Sequence, residues 1–112
     1  MQARFIHEGK SIDYISAVDV KAGDVIVQGE LVGVAQSDIP AYQLGALLVE
    51  GVCDFPKPDD GSSTIGFGLE VYWDAAEGMA KTDSEAGANK YIGKCVRAAG
   101  NAEAIVRVRL SQ

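Results

Sequence analysis

Apolar residues along this chain come in short runs, and glycine, aspartate or asparagine separates one run from the next. Such punctuation predicts short strands joined by turns. Residues 3–7 and 11–15 read as two strands around Glu8-Gly9-Lys10, with Ile12 and Tyr14 sharing one face of the second. Ala22-Gly23-Asp24 reads as a tight turn, because glycine reaches positive φ without strain. Gln28-Gly29-Glu30 separates residues 25–27 from 31–35, which is a hairpin signal. Residues 39–45 fit either one helical turn or a loop. The longest apolar stretch, 46–55, reads as a strand buried on both sides at its start, with a bend or bulge at Gly51. Residues 56–63 form a loop by composition.

In the second half, 69–74 alternates cleanly. Leu69, Val71 and Trp73 share one face, and Glu70, Tyr72 and Asp74 the other. Residues 75–78 turn it back into 79–82, and 83–89 is a polar loop. Two strands, 91–98 and 104–110, close the pattern around Gly100-Asn101. In the last, Val106, Val108 and Leu110 point one way, and Ile105, Arg107 and Arg109 the other. No helix emerges. About eight or nine short strands predict an all-β fold, a small antiparallel barrel or sandwich.

Length and composition narrow the picture. With 112 residues the chain is expected to form one domain over 1–112, since a cut in the 56–63 loop leaves two halves with thin cores. An apolar share of 47% argues against disorder. No stretch is long and apolar enough to span a membrane, and the opening residues are too few and too polar for a signal peptide, so synthesis in a cytoplasm is expected. The formal net charge of −6 disfavours nucleic-acid binding. The charge is uneven. Residues 1–56 hold three Lys/Arg against eight Asp/Glu, while from Ala86 onward five Lys/Arg face one acidic residue, Glu103.

Tests for chemistry find little. Gly9-Lys10-Ser11 matches the end of a phosphate-binding loop, but Arg4 stands where the earlier glycine belongs and a strand, not a helix, follows. The phrase Val20-Lys21-Ala22-Gly23-Asp24-Val25 resembles turns of biotinyl and lipoyl carriers, yet lacks the lysine context that those modifications need. His7 is the single histidine and has no nucleophile elbow to serve. Cys53 and Cys95 lie in predicted strands and read as two buried thiols, with a bridge between them as the alternative, and their spacing from His7 suits no zinc pattern. The expectation is no catalytic residue, no metal and no cofactor. Trp73 is expected in the core. Tyr72, on the opposite face, is the better interface residue. Arg107 and Arg109, with Lys94 and Arg97 on the preceding strand, form a candidate cationic stripe for a partner's carboxylates. The competing reading is a solvated face with weak cross-strand ion pairs.

The opening Met1-Gln2-Ala3-Arg4-Phe5-Ile6-His7-Glu8-Gly9-Lys10-Ser11-Ile12-Asp13-Tyr14 resembles that of small phage-associated proteins of about this length. So do Ala22-Gly23-Asp24-Val25-Ile26-Val27, Leu44-Gly45-Ala46 with Val49-Glu50-Gly51-Val52-Cys53-Asp54-Phe55-Pro56-Lys57, Val71-Tyr72-Trp73-Asp74, Ile92-Gly93-Lys94-Cys95-Val96 and Val106-Arg107-Val108-Arg109-Leu110. That family, formerly of unknown function and sometimes labelled recombinase-like, is regarded as capsid decoration, or cement, proteins. The missing phosphate loop argues against the recombinase label. The resemblance implies a phage head protein on the outside of the capsid. Its expected partners are the major capsid protein and further copies of itself, with a trimer favoured. It carries over no functional residue, because the shared positions are turns and strands. The contact surfaces expected from the residues are the opening segment with Arg4 and Phe5, and the face holding Tyr72, Arg107 and Arg109. The alternatives are a tail or fibre adaptor and a small ligand-binding barrel.

Overall fold

The computed structural model describes residues 2–112. Its first sheet contains β1 (Ser11–Ile15), β2 (Val25–Gln28), β3 (Leu31–Ala35) and β4 (Leu44–Leu48), in the order β1-β4-β3-β2. Its second contains β5 (Gly51–Pro56), β6 (Glu70–Asp74), β7 (Met79–Lys81), β8 (Lys90–Arg97) and β9 (Ile105–Leu110), in the order β5-β9-β8-β6-β7. Every pairing is antiparallel. Neither sheet closes on itself, so the fold is the open two-sheet alternative and not a barrel.

The period-two pattern decides how the sheets meet. Phe55, Val71, Trp73, Ile92, Cys95, Val106, Val108 and Leu110 line the inner face of the second sheet. Val32 is buried among them, and Val25, Val27, Val34 and Leu48 pack against the same cluster from the first sheet. Burying such side chains supplies most of the stability, about 25 cal/mol per Å² of apolar surface removed from water. Trp73 is core, as expected, with its ring 5.9 Å from that of Phe55 at a tilt of 56°. The joint is tightened at two points. The Gln112 side chain bonds both the N–H and the carbonyl of Val32, and Lys90 on β8 reaches Glu30 in the β2–β3 turn at 3.0 Å.

The other face of the first sheet is also covered. Val20 and Ile39 exchange backbone hydrogen bonds of 2.9 and 2.8 Å and lie over Ala35 and Leu47, with Ile12, Tyr14 and Ile26 around them. Gly45 is required beneath this cap: a Cβ there would stand 2.4 Å from the Ile39 side chain.

Several sequence expectations are corrected. Residues 3–7 form no strand, and Gly9-Lys10 is a plain turn into β1. The run 46–55 is not one strand. It divides into β4 and β5, in different sheets, and Gly51 at φ 138° makes the change of direction. Leu69 precedes β6 and is exposed. The 83–89 loop contains a 3-10 turn, Glu85–Gly87, closed by Asn89, whose buried side chain donates to the Asp83 carbonyl. For 39–45 neither alternative holds throughout: Ile39 bridges Val20, residues 40–43 form a turn, and Leu44-Gly45 already belong to β4.

Candidate functional site

The outer face of the second sheet carries the chain's main concentration of positive charge, and register explains it. β9 contributes Arg107 and Arg109 to this face because Val106, Val108 and Leu110 take the inward positions. Antiparallel pairing sets Lys94 opposite Arg109 and Arg97 opposite Arg107. A β-bulge between Cys95 and Arg97 re-aims Arg97 to meet Arg107. Like charges placed directly opposite each other destabilise a sheet. Four cations in two such pairs are therefore a standing cost to the isolated fold.

Partial compensation comes from Glu70 on β6, which stands opposite Lys94, and from β5. Asp54 lies across from Arg107 and accepts two bonds, 2.9 Å from Nε and 3.2 Å from Nη2. Those bonds hold the Asp54 carboxyl below the usual carboxylate range, with Arg97 adding a smaller pull. The expected cross-strand ion pair is thus present for Arg107. Among the described residues, Lys94, Arg97 and Arg109 have no carboxylate within salt-bridge distance.

Aromatic residues border the stripe. Tyr72 and Tyr91 meet edge to face at 5.7 Å, and the Tyr72 hydroxyl donates to Glu70 at 3.1 Å. Phe67 is 73% exposed and lines a depression of about 280 Å³ with Tyr91, Lys94 and Arg109. Asp54, Arg97, Ile105 and Arg107 line a second of about 220 Å³. Both are smaller and flatter than a small-molecule site. A broad, cationic, aromatic-edged surface suits a macromolecular partner.

The structure brings Tyr72, Arg107 and Arg109 onto this one face. It places Arg4 and Phe5 elsewhere, in the exposed segment 2–10 that leads to β1. His7 lies in that same segment, against the Glu8 carbonyl. Cys53 and Cys95 are free thiols. Both stand opposite Val108, from its two sides, so two strand spacings separate them, about 10 Å. That is too far for a disulfide. Cys95 is buried, whereas Cys53 is only partly so, and burial raises the Cys53 thiol above its ordinary pKa.

Beside β7, the sheet's other edge strand, Asp74 ends β6 in a buried position. Its carboxylate accepts from the amides of Ala76 and Glu77, each at 3.1 Å, and from Lys81 Nζ at 2.8 Å. The Lys81 bond, followed by the Glu77 amide, holds this carboxyl below its ordinary value. A depressed folded-state pKa means that the unfolded chain binds protons first. The stability from Asp74 is present above about pH 4 and is lost as pH falls through the folded value. Unfolding titrations between pH 6 and pH 2 are expected to show falling stability at the acid end, with a shallower fall in Asp74→Asn. Parallel curves would remove Asp74 from that role.

The family model of the phage cement proteins matches residues 6–110, nearly the whole chain. The chain belongs to that family. Membership makes it a bacteriophage structural protein of the capsid-decorating kind, and it agrees with the resemblance seen in the sequence. Of the opening segment that carries part of that resemblance, Met1 lies outside the described residues. No curated protein and no solved structure matches the chain. Within this cement protein, sequence reasoning missed one structural residue, Lys57. It lies in what reads as a loop, yet it is buried, and its ammonium donates to the carbonyls of Pro58, Gly100 and Glu103. No local signal marks it, because two of the three acceptors lie more than forty residues away.

Proposed function

We propose that this protein is a non-enzymatic cement protein that binds the outer surface of the phage capsid and braces it. Its partners are the major capsid protein and its own copies, in a homo-oligomer for which a trimer is favoured. It is made in the bacterial host's cytoplasm and ends on the virion surface. The observation that carries this reading is the family match over residues 6–110. The outer face of the second sheet supports it. Lys94, Arg97 and Arg109 gain most when a partner supplies carboxylates, so binding relieves a repulsion built into the isolated fold. Capsid symmetry repeats the contact, and multivalency raises the total affinity of individually weak sites.

Co-sedimentation with expanded cognate capsids tests the proposal. The unmodified protein is expected in the capsid pellet. Arg109→Glu is expected to bind at least about tenfold more weakly, with its stability unchanged or slightly raised, because the change relieves the pairing with Lys94. Absence of the folded, unmodified protein from the pellet would overturn the capsid reading. Undiminished binding by Arg109→Glu would move the contact to another face.

A further inference from the structure

The first sheet overhangs the second. On the face of β1 and β4 that continues the main core, Leu48 is packed in, but further along Ile15 and Leu44 stand opposite each other, 61% and 66% exposed. Val18 and Tyr42 gather at the same end, 66% and 77% exposed, where the Tyr42 amide bonds the Ser16 carbonyl. Tyr42 holds φ at +64°, a strained value for a tyrosine. Four exposed apolar side chains at one end of a sheet mark a contact surface. Beside them, β1 is an edge strand, and among the described residues none pairs with its outer side.

The segment 2–10 has the complementary deficiency. Residues 3–7 carry a strand pattern but no strand partner, and Phe5 and Ile6 are 80% and 69% exposed. The segment does not return along its own β1. Gly9 instead lines a depression with Leu31, Val49, Glu50 and Arg109, on the β4 side and away from the open edge. Charge also matches: Arg4 lies in the segment, and Asp13 is exposed on the overhanging face.

We infer that residues 2–8 of one copy add as a strand to the open edge of β1 in a second copy, covering the apolar end formed by Ile15, Val18, Tyr42 and Leu44. Strand alternation then turns Phe5 and Ile6 to opposite faces of the extended sheet. One meets the Ile15–Leu44 overhang, and the other meets the face that holds Ile12 and Tyr14. The contact is heterologous, arm to edge, so it closes into a ring or runs on as a chain. It deepens the self-association in the proposed function and stands apart from capsid binding, so its test uses no capsid and the arm and edge variants separate its failure from that of self-association as such.

Sedimentation velocity of the full chain over a concentration series is the test. Species larger than a monomer are expected. Phe5→Asp with Ile6→Asp in the arm, and separately Leu44→Asp at the edge, are each expected to weaken association at least about tenfold. An equal mixture of the arm and edge variants should recover pairs but nothing larger, since each supplies the half that the other lacks. Arg4→Glu should weaken association, and Asp13→Lys in the same chain should restore it. The arm substitutions lie outside every strand, so loss of folding does not confound them. A protein that is monomeric throughout overturns the inference. So does association that ignores both the arm and the edge variants, or protection of amides 3–7 from exchange in a dilute monomer.

Discussion

Replacing Gly93 with alanine is expected to destabilise the protein by about 4 kcal/mol and to lower its Tm by roughly 15 °C. Gly93 lies in β8 at φ 153°, between Val71 on β6 and Leu110 on β9. A Cβ built there would fall 1.9 Å from the Arg109 carbonyl oxygen and 3.2 Å from the Ser111 amide. Both neighbours are backbone, so no rotamer change relieves the clash, and β8 must part from β9 to admit a methyl group. Gly9→Ala is the control, because a methyl group on Gly9 would have no atom within 4 Å and the residue has no positive φ. Thermal and urea unfolding of the two variants would separate by the full effect. Near-equal stabilities would mean that the β8–β9 register is wrong, and with it the pairing of Lys94 and Arg109.

Lys57→Met is expected to cost about 3 kcal/mol. The Lys57 amide donates to the Ala104 carbonyl at 2.9 Å, and its ammonium reaches the carbonyls of Gly100 and Glu103 at 3.1 and 2.8 Å. One residue thus holds the connection before β9 against the end of β5. Nearby, the Ile65–Ala99 bridge and the Asn101 side chain on the Gly61 carbonyl fasten the same two loops. Methionine fills similar space without a donor, leaving the carbonyls unsatisfied. Amide exchange is the more specific readout: faster exchange confined to residues 99–104 and 57–65 marks loss of the clamp. Uniformly faster exchange would assign Lys57 to general packing instead.

How much the sequence disclosed depends on the range of the physics involved. Alternation placed Val71, Trp73, Val106, Val108 and Leu110 inward and Tyr72, Arg107 and Arg109 outward, because that choice is local and has period two. The hairpin at Gln28-Gly29-Glu30 was equally local, and Gly29 takes the positive φ that the turn demands. Residues 3–7 misled because a strand needs a partner as well as a pattern, and the described fold offers them none. The opposition of Lys94 to Arg109 and of Arg97 to Arg107 depends on register and on a bulge, neither of which is written in any one segment. The residues of the stripe were visible in the sequence, while their mutual repulsion was not. Lys57 and the Ile15–Leu44 overhang were hidden for the same reason, since both arise from where distant segments stop.

The wiring of the two sheets also sets an order of assembly during synthesis. All four strands of the first sheet lie within residues 11–48, so that sheet can pair soon after its residues emerge from the ribosome. The second cannot. Gly51 pairs with Leu110, and among the described residues β5 has no neighbour in its sheet other than β9. Until β9 arrives, β5 is an unpaired strand, and the core shared with Val32, Val34 and Leu48 lacks Val106, Val108 and Leu110. That interval is when nascent chains made side by side are most prone to stick together. Expression at lower temperature is therefore expected to raise the fraction of the protein found soluble, and equal fractions at the two temperatures would count against this order of assembly.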